Sequence, residues 1–497
     1  MILLGIDIGS SSIKVNLMDE EKGTSLAGAS YPPKEMEIIS PQSDWAEQDP
    51  EVWMNNLFRA LEMIKTKVGS RFNEIGAIGI TYQMHGLVAI DKDGKLIRNS
   101  IIWCDSRAVG IGEKAFAELG EEFCLSHLLN SPGNFTASKL RWIKLFEPEN
   151  FARIYKIMLP GDYIAYRLTG EITTTESGLS EGIFWDFKRN DVSDELLAYY
   201  GFDRNILPTV VKTFSEQGRV SAEMAAKLGI KAGTPVSYRA GDQPNNAFSL
   251  NVMEPGEIAA TAGTSGVVYG VTNKKEYDHQ SRVNTFLHVN NTLQNPRLGI
   301  LMCLNSTGIL NSWIKNQFMG EEISYEKMNE IASKASPGSA GLLVFPFGNG
   351  AERIIQNKNI GASFHNMNFN IHNRSHTLRA MQEGIVFALN YGIEIMKGVG
   401  LEINVAKAGM TNMFLSNVFR ETFADVSGAR IELYNTDGAE GAARGAGLGI
   451  KYYTSTKEAF SKLALIKMVQ PKRNDQLLQA YQTWKEKLAT LTDLSKI

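Results

Sequence analysis

Asp242 is the residue whose neighbours best suit it to acid–base chemistry. It lies in Tyr238-Arg-Ala-Gly-Asp-Gln-Pro-Asn-Asn-Ala247, near the middle of the 497 residues, after an apolar run and before a predicted helix start. A carboxylate in such a turn can accept the proton of an attacking hydroxyl group. An aspartate at a helix start also commonly caps that helix, so Asp242 taken alone leaves both interpretations open.

Two turns of similar sequence each join a pair of predicted strands: Gly9-Ser10-Ser11-Ser12 and Gly263-Thr264-Ser265-Gly266. Such a turn presents backbone N–H groups and hydroxyls to one concavity, which suits a phosphate group. Asp7, just before the first turn, can hold Mg²⁺ through water, because Mg²⁺ takes oxygen ligands and keeps several waters. Either turn alone also fits an ordinary hairpin. Their repetition predicts duplicated α/β domains whose turns meet the phosphates from two sides.

Polar residues also follow two other apolar strands. Tyr82-Gln-Met-His-Gly86 ends the first of them, a position that faces ligands in α/β folds. Its His85 can donate and accept hydrogen bonds, as a polyol ligand requires. Trp103-Cys-Asp-Ser-Arg107 ends the second and adds a stacking face, a carboxylate and a guanidinium. His85 equally fits a structural role, and Asp105 equally fits a helix cap or a partner for Arg107.

Strands and helices must position these residues. Apolar runs and turn residues predict strands, and Asp49-Pro50-Glu51 is typical of a helix start. The stretch from Arg107 to about Leu168 is mostly helical in pattern, with breaks at Pro132-Gly133 and Pro160-Gly161. Further predicted elements are strands over Ile2 to Ile8, Ile13 to Met18, Thr24 to Tyr31, Ile75 to Tyr82, Leu87 to Ile90, Leu96 to Ile102, Glu257 to Ala262 and Val267 to Val271, and helices over Gln382 to Met396 and Gln476 to Leu491.

Composition narrows the class of protein. With 43% hydrophobic and 21% charged residues and a formal net charge of -3, the chain has neither the basic footprint of a nucleic-acid binder nor a membrane signal. Three scattered cysteines argue against a disulfide framework. The first residues lack a basic region typical of a signal peptide, so a cytoplasmic location is expected. No Gly-x-x-x-x-Gly-Lys-[Ser/Thr] motif occurs, so phosphate binding of that kind is not predicted.

An ordered set of motifs resembles the FGGY family of carbohydrate kinases from residue 2 to about 450. Within that family, Gln83-Met-His-Gly86, together with Trp45-Ala-Glu-Gln-Asp-Pro50, is most similar to the xylulokinase branch, whereas Gly241-Asp-Gln243 also resembles glycerol kinases. The motifs that carry the resemblance are Gly5-Ile-Asp7-Ile-Gly9, Gln83-Met-His-Gly86, Trp103-x-Asp105-x-Arg107, Lys139-Leu-Arg-Trp142, Gly241-Asp242 and Gly263-Thr-Ser-Gly266.

The resemblance implies an α/β fold of two actin-like, ribonuclease H-type domains with ATP and sugar in a cleft between them. Residues 1–242 would form the sugar-binding domain and residues 243–497 the nucleotide-binding domain. It implies Asp242 as the base that deprotonates the sugar hydroxyl, and ATP with Mg²⁺ at Asp7 as the donor. The implied sugar contacts are Met84, His85, Trp103, Asp105 and Gln243. The implied phosphate and nucleotide contacts are Gly9, Ser10, Ser11, Gly263, Thr264, Gly308, Gly409 and Asn412.

One segment departs from the family pattern. Members usually carry a Gly-Gly-Gly or Gly-Gly-Ala turn before a helix near the nucleotide, whereas this chain reads Lys407-Ala-Gly409-Met-Thr-Asn412. Gly409 and Asn412 still align with the family pattern. The bulkier Met410 leaves the nucleotide contacts and the nucleotide preference open.

Two other functions stay open at this point. The first is a kinase of the same family for ribulose, fuculose, rhamnulose, gluconate, glycerol or erythritol, because these substrates differ mainly in hydroxyl placement. The second is an actin- or Hsp70-like ATPase, against which the Gln-Met-His-Gly and Gly-Asp-Gln segments count. The polar helix predicted at the carboxyl end leaves a homodimer possible, although a solvated face is its commoner fate.

Overall fold

The computed structural model describes residues 1–320 and 322–493, and the chain divides into two compact units. Unit 1 comprises residues 1–253, 286–298 and 436–463. Unit 2 comprises residues 254–285 and 299–435 and the chain from Ala464 onwards. Each unit is therefore assembled from segments that lie far apart in the sequence, rather than from one continuous half of the chain.

Both units contain a large sheet and several short strand pairs. The strands are β1 Ile2–Ile8, β2 Ile13–Asp19, β3 Thr24–Tyr31, β4 Glu47–Gln48, β5 Ile75–Tyr82, β6 Val88–Ile90, β7 Ser100–Ile101, β8 Lys156–Met158, β9 Thr173–Thr175, β10 Trp185–Asp186, β11 Asp191–Val192, β12 Thr209–Val211, β13 Phe214–Arg219, β14 Pro235–Gly241, β15 Glu257–Ala262, β16 Gly266–Thr272, β17 Asn284–Leu287, β18 Leu298–Leu304, β19 Leu343–Phe345, β20 Ser363–His365, β21 Val405–Gly409, β22 Arg430–Tyr434 and β23 Leu465–Val469.

Helices cover the sheets. The α-helices are α1 Pro50–Val68, α2 Val109–Leu119, α3 Glu121–Phe123, α4 Thr136–Phe146, α5 Pro148–Arg153, α6 Pro160–Thr169, α7 Glu176–Glu181, α8 Asp194–Tyr200, α9 Ala222–Leu228, α10 Asp242–Ser249, α11 Gly308–Ile314, α12 Tyr325–Ala332, α13 Arg374–Gly398, α14 Asn417–Ser427, α15 Gly438–Gly449, α16 Thr456–Ala459 and α17 Asp475–Thr492. No helix in the described part of the chain combines the length and the apolar character that crossing a bilayer demands.

The two large sheets share one arrangement. In unit 1 the order is β13-β14-β5-β1-β2-β3, with β1 antiparallel to β2 and parallel to β5, and β5 parallel to β14. In the second sheet the order is β17-β18-β16-β15-β21-β22-β23, with β15 antiparallel to β16 and parallel to β21. Each of the two predicted turns joins the first antiparallel pair of its sheet, so the predicted duplication is confirmed.

Local sequence explains several of these boundaries. The Asp49 side chain accepts a hydrogen bond from the Glu51 N–H at 2.9 Å, and Pro50 fills the first helical position, so the predicted start of α1 is confirmed. The segment predicted to be mostly helical also contains β8, which pairs with β6. Pairing with a distant strand outweighed local helical preference there.

The predicted helix at the carboxyl end is packed into unit 2 rather than exposed. In α17, Leu477, Tyr481, Trp484 and Leu488 are buried. The Trp484 indole N–H donates to the Val344 carbonyl oxygen at 2.9 Å, and the ring stacks on Phe345 with centroids 5.0 Å apart. The apolar face of this helix is therefore committed to its own unit, and the possible homodimer stays a prediction.

Helix α15 lies directly on the sheet of unit 1 because its sequence is made of small residues. A Cβ atom at Gly5 of β1 would collide with the Ala439 carbonyl oxygen, and one at Gly79 of β5 would collide with that of Ala442. Backbone therefore packs on backbone, which only glycine at these two strand positions permits. This close packing sets the distance between the sheet and the start of α15 at Gly438.

Gly79→Ala is expected to destabilise the protein by about 3 kcal/mol or more, because the added methyl group must push α15 away from β5. Gly28→Ala in β3 is the matched control, since the nearest atom to a Cβ there, Asn16 Nδ2, lies 3.6 Å away. The control should change stability by less than about 1 kcal/mol. Thermal unfolding of both variants tests this. Equal changes in stability would show that α15 can move away from β5 with little loss of stability.

Candidate active site

The parallel register of three strands brings the candidate residues of unit 1 to one edge of its sheet. Ile8 of β1 and Gly241 of β14 both pair with Tyr82 of β5. The carboxyl ends of all three strands therefore coincide, as is typical of ligand sites in α/β folds. Asp7, the segment after Tyr82 and Asp242 emerge side by side at this edge.

Asp242 is the first residue of α10, directly after β14, and is partly buried. Gly241 occupies the N-cap position, so the prediction that Asp242 itself caps the helix is not the arrangement observed. Burial, reinforced by the charge of Asp7, raises the pKa of Asp242 to about 7, although hydrogen bonds from the Gln243 backbone and side chain oppose that shift. A carboxyl group with this pKa can both take and hold a proton near neutral pH.

Asp7 lies at the carboxyl end of β1, where the start of α15 approaches it. Its Oδ2 atom is 3.0 Å from the position that a Cβ at Gly438 would occupy. Burial raises the pKa of Asp7 to about 6, and the charge of Asp437 adds to the shift while Lys14 opposes it. Since the charge of Asp7 also raises the pKa of Asp242, a cation beside these two carboxylates would stabilise their ionised forms.

This donor set fits Mg²⁺ held through water. Among residues 1–320 and 322–493, no group of three or more His, Cys, Asp or Glu side chains is arranged to enclose a metal ion. Mg²⁺ is usually bound through one or two carboxylates and keeps several of its waters. The structure thus suits the predicted water-mediated role of Asp7, which stays a prediction.

The turn after β1 is held in place by four hydrogen bonds. Ser10 accepts a hydrogen bond at its backbone oxygen from Gln48 Nε2 (2.7 Å) and at its Oγ from the Trp103 indole N–H (3.2 Å). The Ser11 carbonyl accepts from the Met36 N–H at 2.8 Å, and the Gly9 N–H donates to the Ser12 carbonyl at 3.2 Å. The turn is therefore fixed in position, with the Ser11 side of it exposed.

Met84 and His85 follow β5, and both lie against the other residues of the edge. Met84 is only 4% exposed and its side chain fills the space above Gly241. His85 has a φ of 60°, a left-handed conformation that is strained for a residue with a side chain. Its Nδ1 lies 2.9 Å from the Glu181 carbonyl oxygen, so Nδ1 carries the hydrogen and, in the neutral ring, Nε2 is the acceptor.

Lys139 on α4 stabilises the backbone around His85. Its Nζ donates to the carbonyl oxygens of His85 and Ile102, both at 2.9 Å, and its side chain is fully buried. Burial lowers the pKa of Lys139 to about 7, although the charge of Asp105 opposes this. One buried amine thus joins the two loops that follow β5 and β7.

The two residues predicted from Trp103-x-Asp105 have different surroundings in the structure. Trp103 is 52% exposed beside the Ser10 turn, where it can contact a ligand. Asp105 is fully buried; its carboxylate accepts from the Ala46 N–H at 2.6 Å and from the Arg107 guanidinium at 2.7 Å. Asp105 therefore corresponds to the alternative interpretation, a partner for Arg107, and not to a carboxylate available to a sugar.

In unit 2 the turn after β15 is joined to the start of α11. The Gly308 N–H donates to the Gly263 carbonyl oxygen at 2.8 Å, and the Ile309 N–H donates to that of Thr264 at 3.1 Å. A Cβ at Gly308 would collide with the Gly263 carbonyl, so this approach requires glycine. The structure therefore brings three of the predicted phosphate and nucleotide contacts together.

Gly409 and Asn412 lie at the same edge of the second sheet. Gly409 ends β21, which runs parallel to β15, and the Asn412 Nδ2 lies 3.5 Å from the position of a Cβ at Gly263. Met410 points elsewhere: its sulfur lies 3.7 Å from an Arg420 nitrogen and its side chain packs against the core. The unusual Met410 is therefore accommodated without filling the space between Gly263 and Asn412.

Several residues at the edge of the unit 1 sheet were not predicted from the sequence. Glu181, Asp437, Gly438 and Asn245 were not predicted, yet Asn245 Nδ2 donates to the Gly438 carbonyl at 2.9 Å and ties α10 to α15. The Asp437-Gly438 pair before a run of small residues was the available signal, since aspartate is a preferred N-cap. Glu181 had no comparable signal, because its position depends on the packing of α7.

Two family models match this chain. The N-terminal domain of the FGGY family of carbohydrate kinases matches residues 2–249, and the C-terminal domain of that family matches residues 258–448. Together they span most of the chain.

Individual proteins are similar over nearly the whole length. A protein named xylulose kinase from Bacillus subtilis (strain 168) is 29% identical over 464 residues, which cover 92% of this chain and 90% of that protein. The crystal structure of xylulose kinase from Rhodospirillum rubrum has a TM-score of 0.88 at 25% identity and covers 99% of both chains. The structure of gluconate kinase from Lactobacillus acidophilus also has a TM-score of 0.88, at 21% identity, covering 99% of this chain and 98% of that one, and shares the fold.

Lys139→Met should destabilise the protein by about 2 kcal/mol or more, because it leaves the buried carbonyls of His85 and Ile102 without their donor. Lys67→Met is the control, since this exposed lysine also donates to one carbonyl, that of Gly28, at 2.7 Å. A surface change of that kind should cost about 0.5 kcal/mol or less. Thermal unfolding measures the stability of both variants. A similar loss of stability in both would argue that the buried hydrogen bonds of Lys139 stabilise the protein no more than an exposed one does.

Proposed function

The chain belongs to the FGGY family of carbohydrate kinases, and we propose that it transfers the γ-phosphoryl group of ATP to D-xylulose, giving D-xylulose 5-phosphate. The observation that carries the proposed chemistry is the position of Asp242, whose pKa is raised to about 7, at the same sheet edge as Asp7 and His85. The choice of sugar is supported by the similarity to proteins named xylulose kinase over about nine-tenths of the chain.

In the proposed reaction the sugar hydroxyl attacks the γ-phosphorus of ATP in line with the departing ADP oxygen. As the new P–O bond forms, the hydroxyl proton passes to a carboxylate oxygen of Asp242, which acts as general base. The raised pKa makes Asp242 a stronger base than an ordinary aspartate and still leaves a useful ionised fraction near neutral pH. The Gln243 amide and backbone, which favour the ionised form, orient its oxygens.

The sugar would be bound by residues of unit 1. Met84 supplies an apolar surface above Gly241, and the His85 ring, with its tautomer set by the Glu181 carbonyl, offers Nε2 to a sugar hydroxyl. Gln243 and the exposed Trp103 ring complete the proposed set. In this proposal Asp105 fixes Arg107 and the neighbouring loop and does not contact the sugar.

The backbone groups of each turn are suited to bind the phosphates of ATP. We assign the phosphates to Gly9, Ser10, Ser11, Gly263 and Thr264, and the nucleoside part to Gly308, Gly409 and Asn412. Mg²⁺ bound through water at Asp7 would supply positive charge for the phosphate oxygens. The sugar is thereby assigned to unit 1, while the nucleoside is assigned to unit 2.

Gluconate is the second candidate, because the gluconate kinase structure matches this fold as well as that of the Rhodospirillum rubrum xylulose kinase does. An acid substrate needs a cation for its carboxylate. Lys139 and Arg107, which are bonded to the loops after β5 and β7, are buried and already committed to protein groups. This arrangement favours an uncharged sugar.

The direct experiment measures ADP release from Mg-ATP with D-xylulose, D-ribulose, L-fuculose, L-rhamnulose, D-gluconate, glycerol and erythritol, each against a sugar-free blank. A saturable rate with D-xylulose, at least about tenfold above every other substrate in kcat/KM, is expected. A higher rate with another sugar would overturn the substrate but keep the kinase. Rapid ATP hydrolysis that is independent of sugar would instead favour the ATPase alternative.

Asp242→Asn should lower kcat by about 10²- to 10⁴-fold, because the variant keeps the shape of the side chain but cannot accept the proton. ATP binding, measured by calorimetry, should stay close to that of the wild type. Asp437→Asn is the matched control: it also removes a negative charge near Asp7, and asparagine caps a helix as well as aspartate. A similar fall in kcat for both variants would show that net charge, and not a base at Asp242, is what matters.

A further inference from the structure

Glu181 is a buried acid that the proposed reaction leaves without a role. It ends α7 and is 1% exposed, and its carboxyl oxygens meet the His85 backbone N–H and the Tyr82 hydroxyl only in poor hydrogen-bond geometry. A buried carboxylate that is paired so weakly is costly, whereas the neutral acid costs far less. Burial, with the charges of Asp242 and Asp162, raises the pKa of Glu181 well above its usual range.

Glu181 touches both halves of the proposed sugar site. Its Oε2 atom, together with the Met84 side chain, fills the space that a side chain at Gly241 would need, directly before Asp242. Its backbone carbonyl accepts the hydrogen bond from His85 Nδ1 at 2.9 Å. One residue thus packs against the turn that carries the base and against the strained segment that carries His85.

Helix α7 is itself held firmly, so that Glu181 has a fixed place. The Ser177 hydroxyl donates to the Leu287 carbonyl at 2.9 Å, and the Leu287 N–H donates to Ser180 Oγ at 3.0 Å. The Thr175 side chain caps the start of the helix by accepting from the Gly178 N–H at 3.0 Å. Glu181 can therefore transmit the position of α7 to the residues it touches.

The charged and titratable groups around Glu181 come from five elements. Asp242 of α10 and Asp162 of α6 oppose its ionisation, while the Tyr82 hydroxyl of β5 and the His85 N–H favour it. Arg239 of β14 is paired with Asp162 at 2.8 Å. On β10, Asp186 is engaged with His127 at 2.8 Å. The two carboxyl groups whose charges act on Glu181 therefore both favour its uncharged form.

We propose that Glu181 is a positioning residue of the sugar site, holding the Met84–His85 segment and the Gly241–Asp242 turn at their working separation. The inference rests on the proposed function and adds a determinant of sugar binding to it. Its side chain does this by filling the space beside Gly241, and its uncharged form does so without repelling Asp242. Ionisation, which the raised pKa of Glu181 shifts to higher pH, would place a second carboxylate beside Asp242, and the two segments would separate.

Two variants distinguish this role from a general structural one. Glu181→Ala removes the packing and should raise the KM for the sugar about tenfold or more, because a small displacement of binding groups is costly. The KM for ATP should stay within about twofold. Glu181→Gln keeps the shape and cannot ionise, so it should act like the wild type at neutral pH and retain activity to higher pH.

Equal loss with Glu181→Gln and Glu181→Ala at neutral pH would overturn the proposal, because it would mean that the ionised carboxylate is required. The proposal would also be overturned if the activity of Glu181→Gln fell at high pH in the same way as that of the wild type. If Glu181→Ala does not fold, the pH profile of Glu181→Gln decides alone.

A measurement without turnover separates this inference from the proposed function. The protein has seven histidines, and the ¹⁵N signals of the His85 ring can be assigned by comparison with His85→Gln. The His85 ring signals should shift in Glu181→Ala and coincide with those of the wild type in Glu181→Gln. If no sugar is phosphorylated but these shifts occur, the proposed function fails and the positioning role stands. Unchanged shifts in Glu181→Ala would remove the positioning role even where the sugar kinase activity is found.

Discussion

The close backbone packing of α15 on the sheet of unit 1 is the constraint on which the proposed catalytic edge depends. Glycine at Gly5 and Gly79 lets the helix approach the strands closely, and this brings its first residue, Gly438, beside Asp7. The Asn245 side chain then fastens α10, and with it Asp242, to the same point. The start of a helix carries partial positive charge, so this packing also provides an environment that favours anions. A bulkier strand residue would displace the helix and change the geometry and the electrostatics together.

Three acids near this edge are made unlike one another by their surroundings. Burial raises the pKa of all three: that of Asp7 to about 6, that of Asp242 to about 7, and that of Glu181 well above its usual range. The charge of Asp7 contributes to the basicity of Asp242, so any group that neutralises Asp7 also makes Asp242 a weaker base. The proposed metal-binding and proton-accepting roles are therefore coupled, and neither carboxyl group can be changed without affecting the other.

The sequence predicted the parts of this structure that depend on local pattern. The start of α1, the paired hairpins and the duplicated sheets follow from capping residues, apolar runs and turn residues, which act over a few neighbours. The burial of Asp105 and the position of Glu181 depend on packing between distant segments, and one sequence holds no record of that packing. Asp105 shows the difficulty well: its motif indicated a ligand contact or a partner for Arg107, and only the fold distinguishes them. The same reason explains why β8 was assigned to a helical stretch.

The segment around Met410 shows why a departure from a family pattern need not alter a site. The atoms nearest to the position of a Cβ at Gly263 are the Asn412 Nδ2 and the Ser265 carbonyl oxygen, neither of which belongs to the Met410 side chain. Strand β21 ends at Gly409, and the Met410 N–H donates to the Tyr434 carbonyl at 2.8 Å, which directs its side chain toward Arg420 and the core. A site built from main-chain groups tolerates such a substitution as long as the backbone keeps its course. In this region the course is set by the register of β21 between β15 and β22, which the larger side chain reinforces through its packing in unit 2.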